Sequence, residues 1–353
     1  MKNNSFFTVI LILSFLTVSS QSCLPEGIGF TAQAQIDSFQ INYPGCTEIE
    51  GDVYISGNDI TNLNGLSVLT SIGGHLYIGD NDALNSLTGL DNMTSIGGGL
   101  GIGVNDALIS LSGLDNVTSI GVFLAITDNN ALTSLTGLDI VSSIGGDLVI
   151  GYNDALTSLA GLDNMTSIGG DFWIEGNNAL TSLAGLVKVT SIGGGLEIDY
   201  NNTLISLVGL DNIEATSISS LYIYDNYSLS TCEVQSICDY LLAPNGETYI
   251  DENAMGCNSQ EEVEEACEDF SVEEQFIGDY LSLFPNPAKD EVKLILDGFV
   301  IDEVNIYAFT GQQVLHERSV DGTIDISHLQ PGMYIVEVTI ENTRLRQKLL
   351  VQR

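Results

Sequence analysis

Ser158–Leu186 reads SLAGLDNMTSIGGDFWIEGNNALTSLAGL, and its opening five letters return at Ser182, 24 residues on. Laid over its surroundings, the phrase recurs in eight copies. One aliphatic column runs from Val53 through Leu76, Leu100, Leu124, Leu148, Phe172 and Leu196 to Leu221, and a second stands two residues later, from Ile55 to Ile223. Apolar residues at i and i+2 mark a short strand with one buried face. Three residues after the second column every copy has Asn, from Asn58 and Asn81 to Asn226. Leu then follows at three-residue steps, as in Leu156, Leu159 and Leu162, and the return leg closes on TSIGG or a variant, with Ile72, Ile96, Ile120, Ile144, Ile168 and Ile192 as its core residue. A single copy cannot cover its own apolar face, but stacked copies cover one another, so the pattern predicts a solenoid. The Asn column predicts an inward ladder that bonds backbone groups of its own and the next rung. The Gly pairs of TSIGG are expected to supply positive φ at the sharp bends.

The flanks differ from the repeats. Residues 1–20 combine Lys2, an apolar run from Phe6 to Val18 and small residues at the end, the pattern of a signal peptide. No other stretch is apolar for long enough to span a bilayer. Six cysteines lie outside the repeats and form no CxxC pair, which favours disulfides in an oxidising compartment over zinc. Cys23 and Cys46 stand alone before the repeats and are paired. Cys232, Cys238, Cys257 and Cys267 allow three pairings that the sequence does not separate; Cys232–Cys257 with Cys238–Cys267 is the favoured one. From Gln21 to Tyr280 there are 37 acidic residues and one basic residue, Lys188. That field repels nucleic acid and anionic lipid, and it suits solubility, a basic partner or divalent cations.

The strand–Asn–Leu phrase resembles leucine-rich repeats, but Leu follows Asn by three residues rather than two. NDALTSLAGLDNMTSIGGDL is more similar to the receptor L-domain type of right-handed β-solenoid, in the version common among secreted proteins of Bacteroidetes-like bacteria. The resemblance covers Gly45 to about Leu229. CLPEGIGFTAQAQIDSFQINYPGC resembles its N-terminal cap, and LSTCEVQSICDYLLAPNGETYIDENAMGCNSQEEVEEACED its C-terminal cap, with two short helices held by the cysteines.

After the acidic linker the period vanishes. Seven alternating segments separated by turn signals predict a small Ig-like β-sandwich over 281–353. LFPNPAKDEVKL, VNIYAFTGQQVL, IDISHLQPGMYIVEV and RLRQKLLVQR closely resemble the C-terminal sorting domain of the type IX secretion system. The resemblance implies export through the periplasm and across the outer membrane, with residues 281–353 engaging the secretion machinery. The expected fold class is therefore mainly β: a right-handed, receptor L-domain-like solenoid of eight rungs, then the sandwich. The expected segments are signal peptide 1–20, N-terminal cap 21–45, repeats 46–230, disulfide-bonded helical cap 231–270, linker 271–280 and sorting domain 281–353.

The sequence offers no assembled catalytic set. The repeats hold His75 and Lys188 as their basic side chains, more than four rungs apart. The Asp after each GL, as in Asp91, Asp115, Asp139, Asp163 and Asp211, repeats in the manner of a turn-stabilising residue. No catalytic residue and no cofactor is expected; GDNDAL and ITDNNAL leave room for weak calcium binding. The outward strand position is irregular instead: Tyr54, Tyr77, Gly101, Ala125, Val149, Trp173, Glu197, Tyr222. Aromatic residues beside carboxylates suit sugars or protein loops. Trp173, Tyr152, Tyr200, Tyr222 and Tyr224 are the expected ligand-binding residues, for adhesion or recognition of a glycan or a protein. The alternatives are a glycan-active enzyme on the same scaffold and a purely structural surface protein.

Overall fold

A computed structural model describes residues 22–267, 282–295, 301, 303–308, 313–318, 322–340 and 343–352. The expected signal peptide and the 271–280 linker lie outside these residues. The chain divides into two compact units after Val263.

In the first unit each copy folds into one rung. The strand of every rung pairs in parallel with its neighbours in register, for example Leu148 with Leu124 and Phe172, and Ile150 with Ile126 and Ile174. Both aliphatic columns are buried, and so are the Leu columns and the Ile of TSI. The two-residue Ser–Ile strands build a second parallel sheet of eight strands, from Ser22–Cys23 to Ser191–Ile192. The core is therefore a set of stacked aliphatic columns lined by two parallel sheets, each row covering the next.

The strand sheet is longer than eight rungs. It has ten strands, because Ile28–Phe30 pairs with Val53–Ile55 at one end and Thr248–Asp251 pairs with Leu221–Tyr224 at the other. Both caps contribute a strand as well as helices (Gln33–Asp37, Phe39–Asn42 and Gln235–Leu242, with residues 260–267 also helical). Cys23 is bonded to Cys46 and Cys232 to Cys257, with Cα atoms 5.7 and 5.6 Å apart. Cys238 and Cys267 are disulfide-bonded too, and no cysteine among the described residues is free.

The Asn ladder forms, with one correction. Asn153 is typical: its Nδ2 donates to the carbonyls of Ile126 and Gly151, both at 2.9 Å, and to Asn177 Oδ1 at 3.2 Å. Its own Oδ1 accepts the Asn129 N–H at 3.1 Å. The ladder runs from Asn81 to Asn226 and continues into the cap at Asn253. Asn58 is not part of it. It is exposed, and the Gly57 N–H takes its place, donating to Asn81 Oδ1 at 2.9 Å. The reason is a residue count. Ile55 to Ile78 spans 23 residues where the next rungs span 24. The missing residue is the one that elsewhere precedes the ladder Asn with positive φ: Asp80, Val104, Asp128, Tyr152, Gly176, Tyr200, Asp225 and Glu252.

The glycine expectation is corrected as well. None of the TSIGG glycines has positive φ. A Cβ on Gly145 would instead collide with the Gly121 carbonyl oxygen in the rung below. Glycine is needed there because successive backbones touch. Positive φ belongs to the Gly of the GL step, as at Gly161 (φ 109°), whose N–H donates to Asp163 Oδ2 at 3.0 Å.

The second unit has seven strands among its described residues. Ser282–Phe284, Glu291–Ile295 and Thr323–Asp325 make one antiparallel sheet; Gln313–Arg318, Glu303–Ala308, Gly332–Ile340 and Thr343–Val351 make the other. Val292, Leu294, Val304, Ile306, Val336 and Leu349 share its core. The PNPA segment secures the final strand: Asn286 Nδ2 donates to the Lys348 carbonyl at 2.6 Å and Asn286 Oδ1 accepts the Leu350 N–H at 2.9 Å. Ala288, fully buried, exchanges backbone bonds with Leu350 and Gln352 at 2.8 Å.

Candidate ligand-binding face

The outward face of the ten-stranded sheet carries three of the five expected binding residues, and the other two stand in turns at its edge. Trp173 sits at the middle of Phe172–Glu175, 40 % exposed, in lateral register with Val149 and Glu197. Tyr222 and Tyr224 stand on Leu221–Tyr224. Tyr152 and Tyr200 occupy the positive-φ turn position after their strands, so both rings project from strained backbone beside the face.

These residues do not form one cluster. Tyr224 meets Tyr200 edge-on, with ring centroids 6.1 Å apart, and Tyr249 at 5.7 Å. Tyr222 donates to Glu247 at 2.8 Å and is in register with Tyr249. Tyr152 lies against Gly176, where any Cβ would meet its ring, and hydrogen-bonds Glu175. That bond, then burial, pushes its phenol up to about 12. Trp173 makes no ring-to-ring contact with these tyrosines.

A second aromatic group lies on the early rungs, where no site was expected. Tyr54 and Tyr77 stack at 5.0 Å, and His75 stacks on Phe123 at 5.5 Å. Phe123 comes from a rung two copies later. Its ring crosses the intervening rung because Gly99 and Gly101 lack side chains; a Cβ on Gly99 would overlap it. The paired glycines among larger outward residues were the available signal. The rings stack on one another across the sheet, which gives this group a structural role.

Charge divides the face more sharply than aromaticity. Upstream of Trp173 the two outward strand columns hold Gly101, Ala125 and Val149 in one and Gly79, Gly103, Thr127 and Gly151 in the other. From Phe172–Glu175 onward carboxylates enter both columns: Glu175, Glu197, Asp199 and Asp251. Asp199 is 3 % exposed, in register with Glu175 and Tyr224. Burial first, then repulsion from Glu175 and Glu197, raises its carboxyl to about 7, against the opposing hydrogen bond from Tyr224. Tyr224 also donates to Glu197 at 2.7 Å, and burial together with that bond raises its phenol strongly. The ion pairs among the described residues lie elsewhere, between Glu303 and His316 or Arg318. Lys188 donates to Asn164 instead of a carboxylate.

The repeated aspartates have a different task. Asp91, Asp115, Asp139, Asp163 and Asp211 each accept the N–H of the Gly two residues earlier, at 2.7–3.0 Å. Their side chains lock the GL turn.

Comparison with known proteins reaches the second unit. Residues 282–352 match the family of secretion system C-terminal sorting domains. No curated protein matches the chain. The sorting domain supports secretion through the type IX system, hence export to a cell-surface or secreted location and interaction with that machinery. No helix among the described residues is long and apolar enough to cross a membrane. A polar cleft of about 680 Å³ opens on the sorting domain, and in its lining Asn305 Oδ1 bonds Gln313 at 2.7 Å and His316 at 2.8 Å.

Proposed function

We propose that this chain is a displayed recognition or adhesion protein. In this reading residues 1–20 direct it to the periplasm, the sorting domain carries it across the outer membrane, and the β-solenoid presents a strand face to a glycan or protein ligand. The observation that carries the reading is the contrast between inside and outside of the same strands. The inward positions repeat Leu and Ile in rung after rung, whereas the outward ones change from Tyr77 through Gly101 and Val149 to Trp173, Glu197 and Tyr222. A purely structural rod has no need of that variation, and solenoid faces of this kind are where binding residues vary. The receptor L-domain resemblance belongs to the same proposal; parallel sheets, an Asn ladder and disulfide-bonded caps support it.

The test is binding of the full chain to a glycan array and to intact cells, with Trp173→Ala alongside. Loss of binding in the variant is expected; binding that is unchanged in the variant removes the strand face from the proposal.

The second reading is a glycan-active enzyme, and one observation favours it. Asp199 stands in register with Glu175 and two residues after Glu197, and burial pushes its carboxyl up to about 7, so acid and carboxylate stand together as in glycoside hydrolysis. Asp199 is only 3 % exposed, however, and hydrogen-bonds its neighbour Tyr224 in the next strand. Release of reducing sugar from polysaccharides by the full chain, abolished by Asp199→Asn, would establish this reading over binding alone.

A further inference from the structure

The C-terminal part of the strand face concentrates carboxylates that accept tyrosine hydroxyls, Glu175 from Tyr152 and Glu197 from Tyr224, but pair with no cation among the described residues. Earlier strands keep the same register with Tyr, Gly, Ala, Thr and Val, and no carboxylate, at the two outward positions. The scaffold therefore closes without acid there. On the last four strands those positions instead hold Glu175, Glu197, Asp199 and Asp251, with Asp225 and Glu252 in the adjoining turns. Neighbouring strands are about 4.8 Å apart, and alternate residues along a strand about 6.7 Å. Asp199 is buried, but Glu175, Glu197 and Asp251 so spaced repel one another, and none is neutralised by a cation among the described residues.

The rings are interleaved with the acids. Trp173, Glu197, Tyr222 and Tyr249 follow one another across one column, and Glu175, Asp199, Tyr224 and Asp251 across the next. Trp173 and Tyr249 are 40 % and 47 % exposed. A cationic side chain laid here would have a ring face on one side and a carboxylate on the other, with both cation–π attraction and charge complementarity.

We infer that the face from Trp173 to Asp251 docks a cationic polypeptide segment, with lysine or arginine side chains set between the rings and the carboxylates. An extended segment suits the site because its alternate side chains repeat at the same spacing as the outward positions of a strand. The inference rests on the recognition reading above and names its partner class.

The experiment measures binding of a fluorescein-labelled decapeptide of alternating Lys and Ser to the full chain, by fluorescence anisotropy. Glu175→Gln, Glu197→Gln and Asp251→Asn together are expected to weaken binding about tenfold or more at low salt, with the difference shrinking at about 0.5 M salt. Trp173→Ala should weaken it by about threefold or more. The control removes equal charge from turns off the face: Asp82→Asn, Asp106→Asn and Asp154→Asn, expected to change binding less than about twofold. All variants are near-isosteric or exposed, and matching melting curves establish that they fold. Equal weakening by face and control triples would reduce the effect to net charge and overturn the inference, as would tighter binding of a chitosan oligomer than of the peptide. If the peptide does not bind but a neutral glycan does, and Trp173→Ala abolishes that, the cationic partner falls and the recognition face stands. If no glycan, cell surface or peptide binds, both fall.

Discussion

At the scale of single residues the Asn ladder has the largest leverage. Asn153→Ala would leave the Asn129 N–H without its acceptor in the interior and take one hydrogen bond each from the carbonyls of Ile126 and Gly151, the second of which keeps the Asp128 N–H. A buried polar group stripped of its bond costs about 1–3 kcal/mol, so a loss of about 2 kcal/mol or more is expected in chemical denaturation. Asn58→Ala should change stability by less than about 0.5 kcal/mol, because Asn58 is exposed. Equal losses at the two sites would contradict the ladder as described. Val104 holds φ at 57° although it is β-branched, and it is 46 % exposed. Val104→Asn should therefore raise stability by about 0.5–1 kcal/mol, since Asn tolerates this region and little burial is lost. Asp199 has a raised folded pKa, so the folded chain keeps a proton that the unfolded chain releases near the ordinary aspartate value of 3.8. Stability then falls as pH rises from about 4 to about 7 and levels off above. Asp199→Asn should abolish that slope, stabilising the protein at pH 8 by on the order of a few kcal/mol and hardly at all at pH 4.

At the scale of elements, the rung is defined by contacts between copies as much as within one. Thr70, Thr94 and Thr118 hydrogen-bond through Oγ1 to the carbonyl of the equivalent residue one rung back, at 3.0–3.1 Å. Asn116 and Asn164 reach back similarly to Asp91 and Asp139, at 2.7 Å. The glycine corner lies in the same stack. Gly145→Ala would drive a methyl group into the Gly121 carbonyl, a backbone atom that cannot swing aside. A destabilisation of about 2 kcal/mol or more is expected, measured by the thermal midpoint, although alanine ordinarily favours a folded backbone over glycine. A stabilised variant would show that the rungs can separate at this corner.

At the scale of the whole molecule the two units divide the labour. The solenoid region carries nearly all the negative charge, with 37 acidic residues between Gln21 and Tyr280. The sorting domain is close to balanced and ends on a strand with Arg344, Arg346 and Lys348 at alternate positions. Deleting residues 282–352 is expected to leave the chain inside the cell envelope, scored by fractionation and immunoblot of the culture. Asn286→Ala, which releases the last strand at Lys348 and Leu350, should lower the exported fraction by about twofold or more, given a lost pair of bonds worth about 1–3 kcal/mol. Normal export of the deletion would remove the sorting domain from the pathway.

The repeat spacing determined the architecture by itself, because a 24-residue copy with two inward residues per strand has one way to bury them. The sandwich strands were legible for the same reason: alternation of period two survives without knowledge of partners. Tertiary structure alone decided what depends on the neighbouring rung. It removed Asn58 from the ladder and added Asn253, because membership depends on a backbone partner one rung away. It moved the need for glycine from φ to close approach at Gly145, since the collision is with another rung. It also brought Asp251 of the cap strand onto the face of Glu175, Glu197 and Asp199, although only Glu197 among them had been legible as an outward strand residue. Local periodicity specifies which residues turn inward; only the stacking register specifies which outward residues become neighbours.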